Sequence, residues 1–516
     1  MASLTPMMQQ YLELKEKYSD CLLFFRLGDF YEMFFEDALT ASRELEIVLT
    51  GRDCGLAERA PMCGVPYHSV NSYINRLIDK GYKVAICEQL EDPSLAKGLV
   101  ERDVIRVITP GTVIEEQMLK GDANNYILSV FASGGVFELA WADVSTGDFY
   151  TFELTGEKAR QELFDQLTRI EPREIIANEF LFTLDPVVKW ISSRFYMEKK
   201  EQRYFDIERG QNTLEQHFGV VTLSGYGLSD RSLAVASAGA LMRYLEETQK
   251  NSLVHIKKIS VVRPGEFMGI DSATRRNLEL TAPLRAEGSR RHTLLGVLDK
   301  TATSMGARML RSWIDQPLQD QKAIDRRLDA VQALVSAPRE RARLRETLVG
   351  IYDIERLCSR IAYGSVNARD CDSLRKTLAK LPALVSVVIG FSECDTLRML
   401  AERVDPMQDI RLLLERAIID EPPLSVKDGG IIREGYDKQI DELRSLSHGG
   451  RNTLAELESR ERERTGIRNL KVGYNRVFGY YIEVTNSNKQ LVPLVYQRKQ
   501  TLANAERFVT PELKEL

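Results

Sequence analysis

A long series of helical patterns, from about residue 271 to residue 421, constrains the fold of this chain more than any other feature. Within it, residues 321–336 are typical. Their apolar side chains recur at the spacing of one helix face: Ile324, Leu328, Val331 and Leu334. Short amphipathic helices in series are stable only when their apolar stripes pack together. We therefore predict an all-α domain, with bounds at residues 262–422.

The two regions before it alternate between helix and strand patterns, which is typical of α/β domains. Residues 1–112 begin with Thr5-Pro6, a helix cap followed by proline at the first helical position. Residues 122–253 begin with the pattern of a β-meander. A chain of 516 residues is too long for a single core. We predict a multidomain fold that combines α/β and all-α parts.

The last part of the chain combines a charged helical arm with a small sheet. The arm covers residues 431–465, and we expect Gly449-Gly450 to bend or interrupt it. Strand patterns follow at three places: residues 470–474, 478–484 and 491–495. We set the bounds of this domain at 423–505 and interpret residues 506–516 as the start of a further helix.

Composition excludes several classes of protein. The 43% of hydrophobic and 28% of charged residues are ordinary for a globular protein, and no apolar run approaches the roughly 20 residues that cross a bilayer. The 7 cysteines include no CxxC pair, so neither a disulfide framework nor a metal site is indicated. The amino terminus carries no secretory signal pattern, so we expect a cytoplasmic protein.

Positive charge gathers in one segment, although the whole chain carries a net charge of −5. Residues 468–504 contain one acid, Glu483, and six bases: Arg468, Lys471, Arg476, Lys489, Arg498 and Lys499. Amide and tyrosine side chains lie between these bases, a mixture suited to phosphate and sugar. The candidate DNA-binding residues are Lys471, Asn475, Arg476, Arg498, Lys499 and Asn504. The alternative is a solvated basic hairpin without a ligand.

Near the amino terminus, the segment LGDFYEMFF at residues 27–35 follows the first strand pattern. Phe30 and Glu32 are two residues apart, so both point from one face if the segment is extended. An aromatic ring can enter a weakened base stack from the minor groove, and an acid beside it can bond to an exposed base edge. Unstacking costs least where pairing is already defective, which favours a mispaired duplex. The alternative places the aromatic residues in the core and Glu32 on the surface.

These segments resemble the MutS family of mismatch-recognition proteins. The stretch GDFYEMFFEDA at 28–38 is similar to the Phe-X-Glu segment with which the family reads a mismatch. Residues 60–89 and 100–112 resemble the rest of the mismatch-binding domain. Residues 298–318 resemble the helical lever core, and residues 473–485 and 498–515 resemble the clamp and the start of its returning helix. The similar segments follow the order of the family over essentially the whole chain.

The resemblance implies a mixed α/β mismatch-binding domain, a connector with a ribonuclease-H-like fold, a helical lever core, and a helical arm with a small β clamp. It implies that Phe30 stacks on the mispaired base while Glu32 hydrogen-bonds to it. It also implies a dimer around double-stranded DNA with mismatches or small loops, and a relay through the connector to MutL. We expect a bacterial protein that is cytoplasmic and nucleoid-associated.

One feature of the family has no counterpart in this sequence. Members carry a carboxyl-terminal ATPase domain with a P-loop of the form GxxxxGK[ST], whereas the glycine-rich pieces at Gly225 and Gly449 lack the lysine and the hydroxyl residue. We therefore expect a chain that stops before the ATPase domain, hydrolyses little or no ATP, and has no catalytic residue, metal site or cofactor of its own. ATP, Mg²⁺, weak DNA-dependent ATPase activity and the closed homodimer are expected only of the full-length protein.

Two alternative functions remain open. A ribonuclease-H-type metal-dependent nuclease would use Asp143 and Asp148, which lie near strand ends, although a Ser-Thr-Gly-Asp turn explains both acids equally well. The other alternative is a relative that binds recombination junctions. Such relatives typically lack the mismatch-reading domain, whereas residues 1–112 are present in this chain.

Overall fold

The chain separates into two compact units. The first comprises residues 1–414 with 424–427, and the second comprises residues 415–423 with 428–516. The computed structural model describes the following residues: 4–56, 58–91, 99–228, 233–250, 253–263, 265–285, 289–475 and 479–515.

The first α/β part is a six-stranded mixed sheet with helices on both faces. Its elements are, in chain order, α1 (Pro6–Lys17), β1 (Cys21–Leu27), β2 (Phe30–Phe34), α2 (Phe35–Leu45), β3 (Thr50–Arg52), β4 (Ala60–Pro66), α3 (Val70–Asp79), β5 (Lys83–Gln89) and β6 (Arg102–Ile108). The strand order is β3-β4-β2-β1-β5-β6, in which β1 and β5 are parallel and the other neighbours antiparallel. The hairpin of β1 and β2 therefore lies at the centre of the sheet.

The alternation of side chains along β1 explains the two core layers of this part. Leu23 and Phe25 pack in one cluster with Tyr11 of α1, whereas Leu22 and Phe24 pack in another with residues of α2 and α3. Burial of an apolar side chain of this size contributes about 1.5–3 kcal/mol. A slip of one residue would exchange the two faces, so this burial fixes the register of β1 and of the hairpin that follows it.

The second α/β part is a six-stranded sheet built on an antiparallel meander. Its elements are β7 (Ile127–Ser133), β8 (Val136–Asp143), β9 (Asp148–Leu154), α4 (Ala159–Ile170), β10 (Glu174–Asn178), α5 (Asp185–Ser192), β11 (Met197–Lys200), α6 (Ile207–Phe218), α7 (Leu233–Gln249) and β12 (Ser260–Val261). The strand order is β11-β10-β7-β8-β9-β12. β7, β8 and β9 form the predicted meander, β10 lies parallel to β7, and β11 lies parallel to β10.

Helices cover both faces of this second sheet. Leu163 of α4 packs with Val130 of β7 on one face, in a cluster that also includes residues of α5. Leu214 of α6 and Leu241 of α7 pack with Ala140 of β8 on the other face. A strand buried on both faces is expected to be largely apolar. β7 and β8 are buried over almost their whole length and are mostly apolar, although the buried polar residues Ser129, Glu138 and Asp143 interrupt the pattern.

The region that follows is helical, as its sequence patterns predict. Its helices are α8 (Ser272–Asn277), α9 (Leu294–Leu298), α10 (Ser304–Asp315), α11 (Gln321–Ser336), α12 (Pro338–Leu348), α13 (Ile354–Ala362), α14 (Ala368–Ile389), α15 (Asp395–Glu402) and α16 (Gln408–Ala417). α11 has the bounds predicted from its apolar spacing, and its cap residue Asp320 accepts a hydrogen bond from the backbone N–H of Ala323 at 2.8 Å. Among the described helices of the chain, none is long and apolar enough to span a membrane. The predicted multidomain class of α/β and helical parts is confirmed.

The second unit is a four-stranded antiparallel sheet next to a long helix. Its elements are α17 (Lys438–Thr465), β13 (Lys471–Asn475), β14 (Gly479–Thr485), β15 (Gln497–Thr501), β16 (Ala505–Val509) and α18 (Pro511–Glu515). The strand order is β13-β14-β16-β15. Leu457 of α17 packs with Ile482 of β14 and Phe508 of β16, so the helix and the sheet share one core.

The expected interruption of the helical arm is wrong. α17 runs through Gly449-Gly450 as one helix of 28 residues. Each glycine costs about 1 kcal/mol relative to alanine in a helix interior, which is too little to end a helix with other support. That support includes the cap residue Asp437, whose side chain accepts from the backbone N–H groups of two residues in the first turn.

Two further expectations for this unit are corrected. The segment 491–495 is not a strand: Leu494 and Val495 are exposed, and β14 pairs with β13 on one side and with β16 on the other. β16 also occupies the start of the expected helix 506–516, so the helix begins only at Pro511. The polar composition of β15, an edge strand that faces solvent, concealed its strand character in the sequence.

Candidate nucleic-acid interface

A two-residue turn between β1 and β2 places the predicted mismatch-reading residues at the end of a fixed hairpin. Leu27 pairs with Phe30 across the turn, which consists of Gly28 and Asp29. Gly28 has a φ of +57°, a left-handed conformation that other residues rarely adopt. The carbonyl of Asp29 accepts a hydrogen bond from the backbone N–H of Tyr67 at 3.0 Å. This bond ties the turn to the segment that follows β4.

Phe30 projects into solvent from this hairpin. Phe30 is 47% exposed, whereas Phe34 on the same strand face is fully buried and its ring centroid lies 5.0 Å from that of Tyr11. α1, which carries Tyr11, therefore covers this face of β2 at the Phe34 end. The interpretation of the aromatic residues as core holds for Phe34 and does not hold for Phe30.

Glu32 shares this face of β2 with Phe30, as their spacing of two residues predicts. Its carboxylate oxygen Oε2 accepts a hydrogen bond from Nη1 of Arg52 at 2.5 Å. Arg52 is the last residue of β3, and β4 lies between β3 and β2. Arg52 was not predicted from the sequence, because a neighbour across an intervening strand leaves no local pattern.

Two more arginine side chains lie beside the hairpin. The guanidinium of Arg26 lies 3.9 Å from the ring centroid of Tyr67 and donates to the carbonyl of Gly28 at 2.6 Å. Arg102 donates to the carbonyl of Arg26 at 2.9 Å. Burial lowers the pKa of Arg102, and the nearby charge of Arg52 acts in the same direction. Arg26 Nη1 also lies 3.7 Å from Glu88 Oε1, so an acid of β5 offsets part of the positive charge beside the hairpin.

The sheet of the second unit presents a charged outer face. Lys471 of β13 pairs with Glu483 of β14 across the ladder, and Glu483 pairs in turn with Arg507 of β16. Arg507 Nε donates to Glu483 Oε2 at 2.9 Å, and its guanidinium lies 4.3 Å from the ring centroid of Tyr481. Arg507 lies just beyond the charged segment 468–504, which is why the charge pattern did not include it.

Two bases of the charged segment are bound to a buried acid. Glu506 of β16 is 3% exposed, and its Oε1 lies 2.6 Å from Lys489 Nζ and 3.4 Å from Arg498 Nη1. The hydrogen bond from Lys489, together with the charges of both bases, holds the pKa of Glu506 below its ordinary range. The positive charge available to phosphate is therefore smaller than the number of bases in the sequence indicates. Part of the charge of Arg498 is offset by its ion pair with Glu506.

The other predicted residues of this unit lie at its edges. Lys471 is exposed on the edge strand β13, and Asn475 is the last residue of that strand. Lys499 is exposed at a β-bulge, where the ladder between β15 and β16 shifts register. Asn504 is exposed immediately before β16. Arg476 lies outside the described residues.

The two acids considered for a nuclease are held in a turn. Asp143 is fully buried, and its Oδ1 accepts from the backbone N–H and the hydroxyl of Ser145 at 2.9 and 2.7 Å. Its Oδ2 accepts from the side chain of Asn124 at 2.9 Å and from the backbone N–H of Asn125 at 3.0 Å. Burial raises the pKa of nearby Asp148. Both oxygens of Asp143 are occupied by protein donors, which favours the turn interpretation.

The described part of the chain offers no metal-binding geometry. There, no group of three or more His, Cys, Asp or Glu side chains is arranged to hold a metal ion. The cysteines Cys21, Cys54, Cys63 and Cys87 are each buried as free thiols. Burial raises the pKa of the Cys63 and Cys87 thiols to about 12, so both stay protonated at neutral pH.

Comparisons with known proteins agree on one family. Models described as MutS domain I, MutS domain II and MutS domain III match residues 5–117, 125–257 and 273–507. The chain is 51% identical to the DNA mismatch repair protein MutS of Ruminiclostridium cellulolyticum, and 50% identical to proteins of the same name from Alkaliphilus metalliredigens and Acetivibrio thermocellus. Each of these matches covers 100% of this chain and 59% of the relative.

Proposed function

This chain belongs to the MutS family, and from that premise we propose that it recognises mispaired or looped bases in duplex DNA during mismatch repair. The observation that carries the proposal is the exposure of Phe30 at the end of the β1–β2 hairpin, beside Glu32. A large aromatic ring held in solvent by a fixed backbone suits insertion between bases and does not suit the core.

The proposed selectivity comes from the energy of unstacking. Opening a base step costs a few kcal/mol in a paired duplex and less where pairing has failed. A ring that must enter the stack therefore binds preferentially at a mispair, with Phe30 stacked on the base. Glu32 hydrogen-bonds to the same base, because an aromatic contact alone does not fix the orientation of the base edge.

The second unit is proposed to act as the clamp on the DNA backbone. Support comes from the exposed cations Lys471 and Lys499, with Asn504 beside them. Asn475 and Arg476 are proposed for the same contact from the sequence pattern. Arg498 is proposed as a contact that also holds Glu506. Contacts to phosphate and sugar position the duplex without reading its sequence, so this part supplies general affinity.

The domain bounds and the connector remain proposals. We assign the mismatch-binding domain to 1–112, the connector to 122–253, the lever core to 262–422, the clamp to 423–505 and the start of the returning helix to 506–516. Support for a ribonuclease-H-like connector comes from the β7–β9 meander, which β10 and β11 extend in parallel at one edge. MutL is proposed as the partner of the connector from the family resemblance.

Activities of the whole protein are also proposed from the family. The chain covers 59% of the length of the curated relatives described above. Its sequence contains no GxxxxGK[ST] pattern, so its residues do not fit the phosphates of ATP. We assign ATP, Mg²⁺, weak DNA-dependent ATPase activity and closure of the homodimer to the full-length protein. A bacterial protein with these partners is proposed to work at the nucleoid in the cytoplasm.

A binding titration tests the proposed function. The chain is titrated with two duplexes that differ only in one mispair, each at about 50 and 200 mM salt. We expect tighter binding of the mispaired duplex at both salt concentrations, and weaker binding of both duplexes at high salt. Equal affinity for the two duplexes at both salt concentrations would contradict mismatch recognition by this chain.

A further inference from the structure

Glu32 is held by an arginine that reaches it across a strand. In the ladder, Glu32 of β2 pairs with Gly64 of β4, and Arg52 of β3 pairs with Ala60 of the same β4 strand. Gly64 and Ala60 are four residues apart, so they share one face of β4, and both acid and base lie on that face. The Arg52 side chain therefore passes over β4 to reach Glu32.

Gly64 keeps that path open. A β-carbon at this position would lie 3.4 Å from Cγ of Glu32 and 3.2 Å from the carbonyl oxygen of Tyr31. A larger side chain at this position would therefore crowd the Glu32 side chain and the backbone of β2. The glycine does not have the left-handed backbone conformation that requires glycine elsewhere in this domain, so the space above it is the physical reason for its presence.

The ion pair engages only part of the Glu32 carboxylate. Arg52 donates to Oε2, and among the described residues no side chain or backbone group donates a hydrogen bond to Oε1. The Glu32 side chain is 17% exposed and the Arg52 side chain 38% exposed, so both ends of the pair are within reach of a ligand. A carboxylate accepts through both oxygens, so Oε1 is available to a donor on a base while Oε2 stays with Arg52.

We propose that Arg52 is a positioning residue for Glu32: its guanidinium fixes Oε2 and presents Oε1, beside the Phe30 ring, to the hydrogen-bond donor of a mispaired base. This inference rests on the proposed function. The pair also offsets the negative charge of Glu32, which otherwise repels the phosphates on either side of the entry point. Arg52 thus contributes to mismatch specificity through its effect on Glu32, without contacting the base itself.

The test is a double-mutant cycle on mismatch preference, defined as the ratio of affinities for mispaired and matched duplex. The variants are Arg52→Ala, Glu32→Ala and the double variant, with Arg52→Lys as the conservative change. We expect Arg52→Ala to lower the preference by about tenfold, which is the size of one charge-assisted hydrogen bond. Arg52→Lys restores part of it. In the Glu32→Ala background, Arg52→Ala has no further effect on the preference.

Two outcomes would overturn the inference. If Arg52→Ala lowers the affinities for the mispaired and the matched duplex by the same factor, both in the wild type and in the Glu32→Ala background, the arginine contacts phosphate directly. If Arg52→Ala leaves the preference unchanged, it does not position Glu32. Thermal unfolding of each variant identifies loss of fold, which lowers the active fraction for both duplexes alike and leaves their ratio unchanged.

The same measurements separate this inference from the proposed function. If the wild-type chain prefers the mispaired duplex and Phe30→Ala abolishes that preference while the Arg52 variants keep it, only the role of Arg52 is wrong. If the wild-type chain shows no preference, the proposed function fails and the inference fails with it.

Discussion

Gly210 of α6 and Gly239 of α7 bring the backbones of two helices into direct contact. A β-carbon on Gly239 would lie 2.2 Å from Cα of Gly210, and one on Gly210 would lie 2.7 Å from the carbonyl oxygen of Val235. Neither position has space for a methyl group. Because α7 packs against the second sheet, this helix crossing determines how closely α6 packs against α7 and the same core.

We expect Gly239→Ala to lower the free energy of unfolding by about 1–3 kcal/mol, because the helices must separate to admit the methyl group. The higher helix propensity of alanine opposes this by about 1 kcal/mol. The midpoint of thermal unfolding, followed by circular dichroism, measures the result. Gly225→Ala is the matched control, since a β-carbon there meets nothing within 4 Å. Equal midpoints for the two variants would contradict the close crossing.

A buried acid in the meander makes stability depend on pH. Glu138 of β8 is 1% exposed and pairs across the ladder with Glu153 of β9. Burial raises the pKa of Glu138 from its ordinary 4.5 to about 8, and the charge of Glu153 acts in the same direction. Between these values the folded chain holds a proton that the unfolded chain has released. This contribution to stability is therefore present at low pH and is lost as the pH rises toward about 8.

We expect Glu138→Gln to remove this pH dependence, because the amide does not titrate. The variant should be more stable than the wild type by a few kcal/mol at about pH 8.5, with the difference disappearing at about pH 4. Thermal midpoints of both proteins at the two pH values measure it. Glu153→Gln, at the partner position, should reproduce only a part of the gain. A difference that is independent of pH would show that Glu138 is not protonated in the folded chain.

The exposed bases on the sheet of the second unit are expected to control affinity for DNA without controlling mismatch preference. Lys499→Gln should weaken binding to mispaired and matched duplex by a similar factor, and should flatten the dependence of log affinity on log salt by about 0.9. Lys189→Gln in α5 removes an exposed charge from the other unit and is the control. Titrations at several salt concentrations give the slopes. A slope unchanged by Lys499→Gln would exclude this residue from the DNA contact.

Gly64→Ala is expected to reduce mismatch preference without removing any charge. The added methyl group would lie 3.2 Å from the carbonyl oxygen of Tyr31, which is tight, and 3.4 Å from Cγ of Glu32. Because the tight contact is to the backbone of β2, we expect β2 to shift and to move Glu32 relative to Arg52. The preference should fall by several-fold, on the order of the loss of one hydrogen bond. The control is Gly51→Ala in β3, where the β-carbon would be similarly close to its neighbour, at 3.2 Å from Cβ of Arg59, but would not touch Glu32. Unaltered preference in Gly64→Ala would contradict the need for open space above this glycine.

Features with a local cause were predictable from the sequence. The bounds of α11 follow from apolar spacing and from the cap residue Asp320, both of which lie within the helix or next to it. The common face of Phe30 and Glu32 follows from the period of two residues in an extended strand. In each case the residues that determine the structural feature lie next to one another in the sequence.

Features that depend on partners distant in sequence were not predictable in the same way. Arg52 lies near Glu32 only because β4 pairs with both β3 and β2 and so places the two residues on one face of the sheet. Glu506 binds Lys489 and Arg498 only after the sheet of the second unit has formed. The strand β15 lacks an apolar pattern because its side chains face solvent. Tertiary contacts also outweigh local propensity in α17, where two glycines do not end the helix.

Phe30 is proposed to enter the base stack where pairing has failed, and Phe30→Ala tests this role most directly. Phe180→Ala is the matched control, since Phe180 is 41% exposed and belongs to the second α/β part, not to the β1–β2 hairpin. The affinities of the wild-type chain and both variants are measured for a duplex with one mispair and for its matched counterpart. We expect Phe30→Ala to bind both duplexes weakly and equally, while Phe180→Ala keeps the wild-type preference. If Phe30→Ala keeps the wild-type preference for the mispaired duplex, Phe30 does not enter the base stack at a mispair.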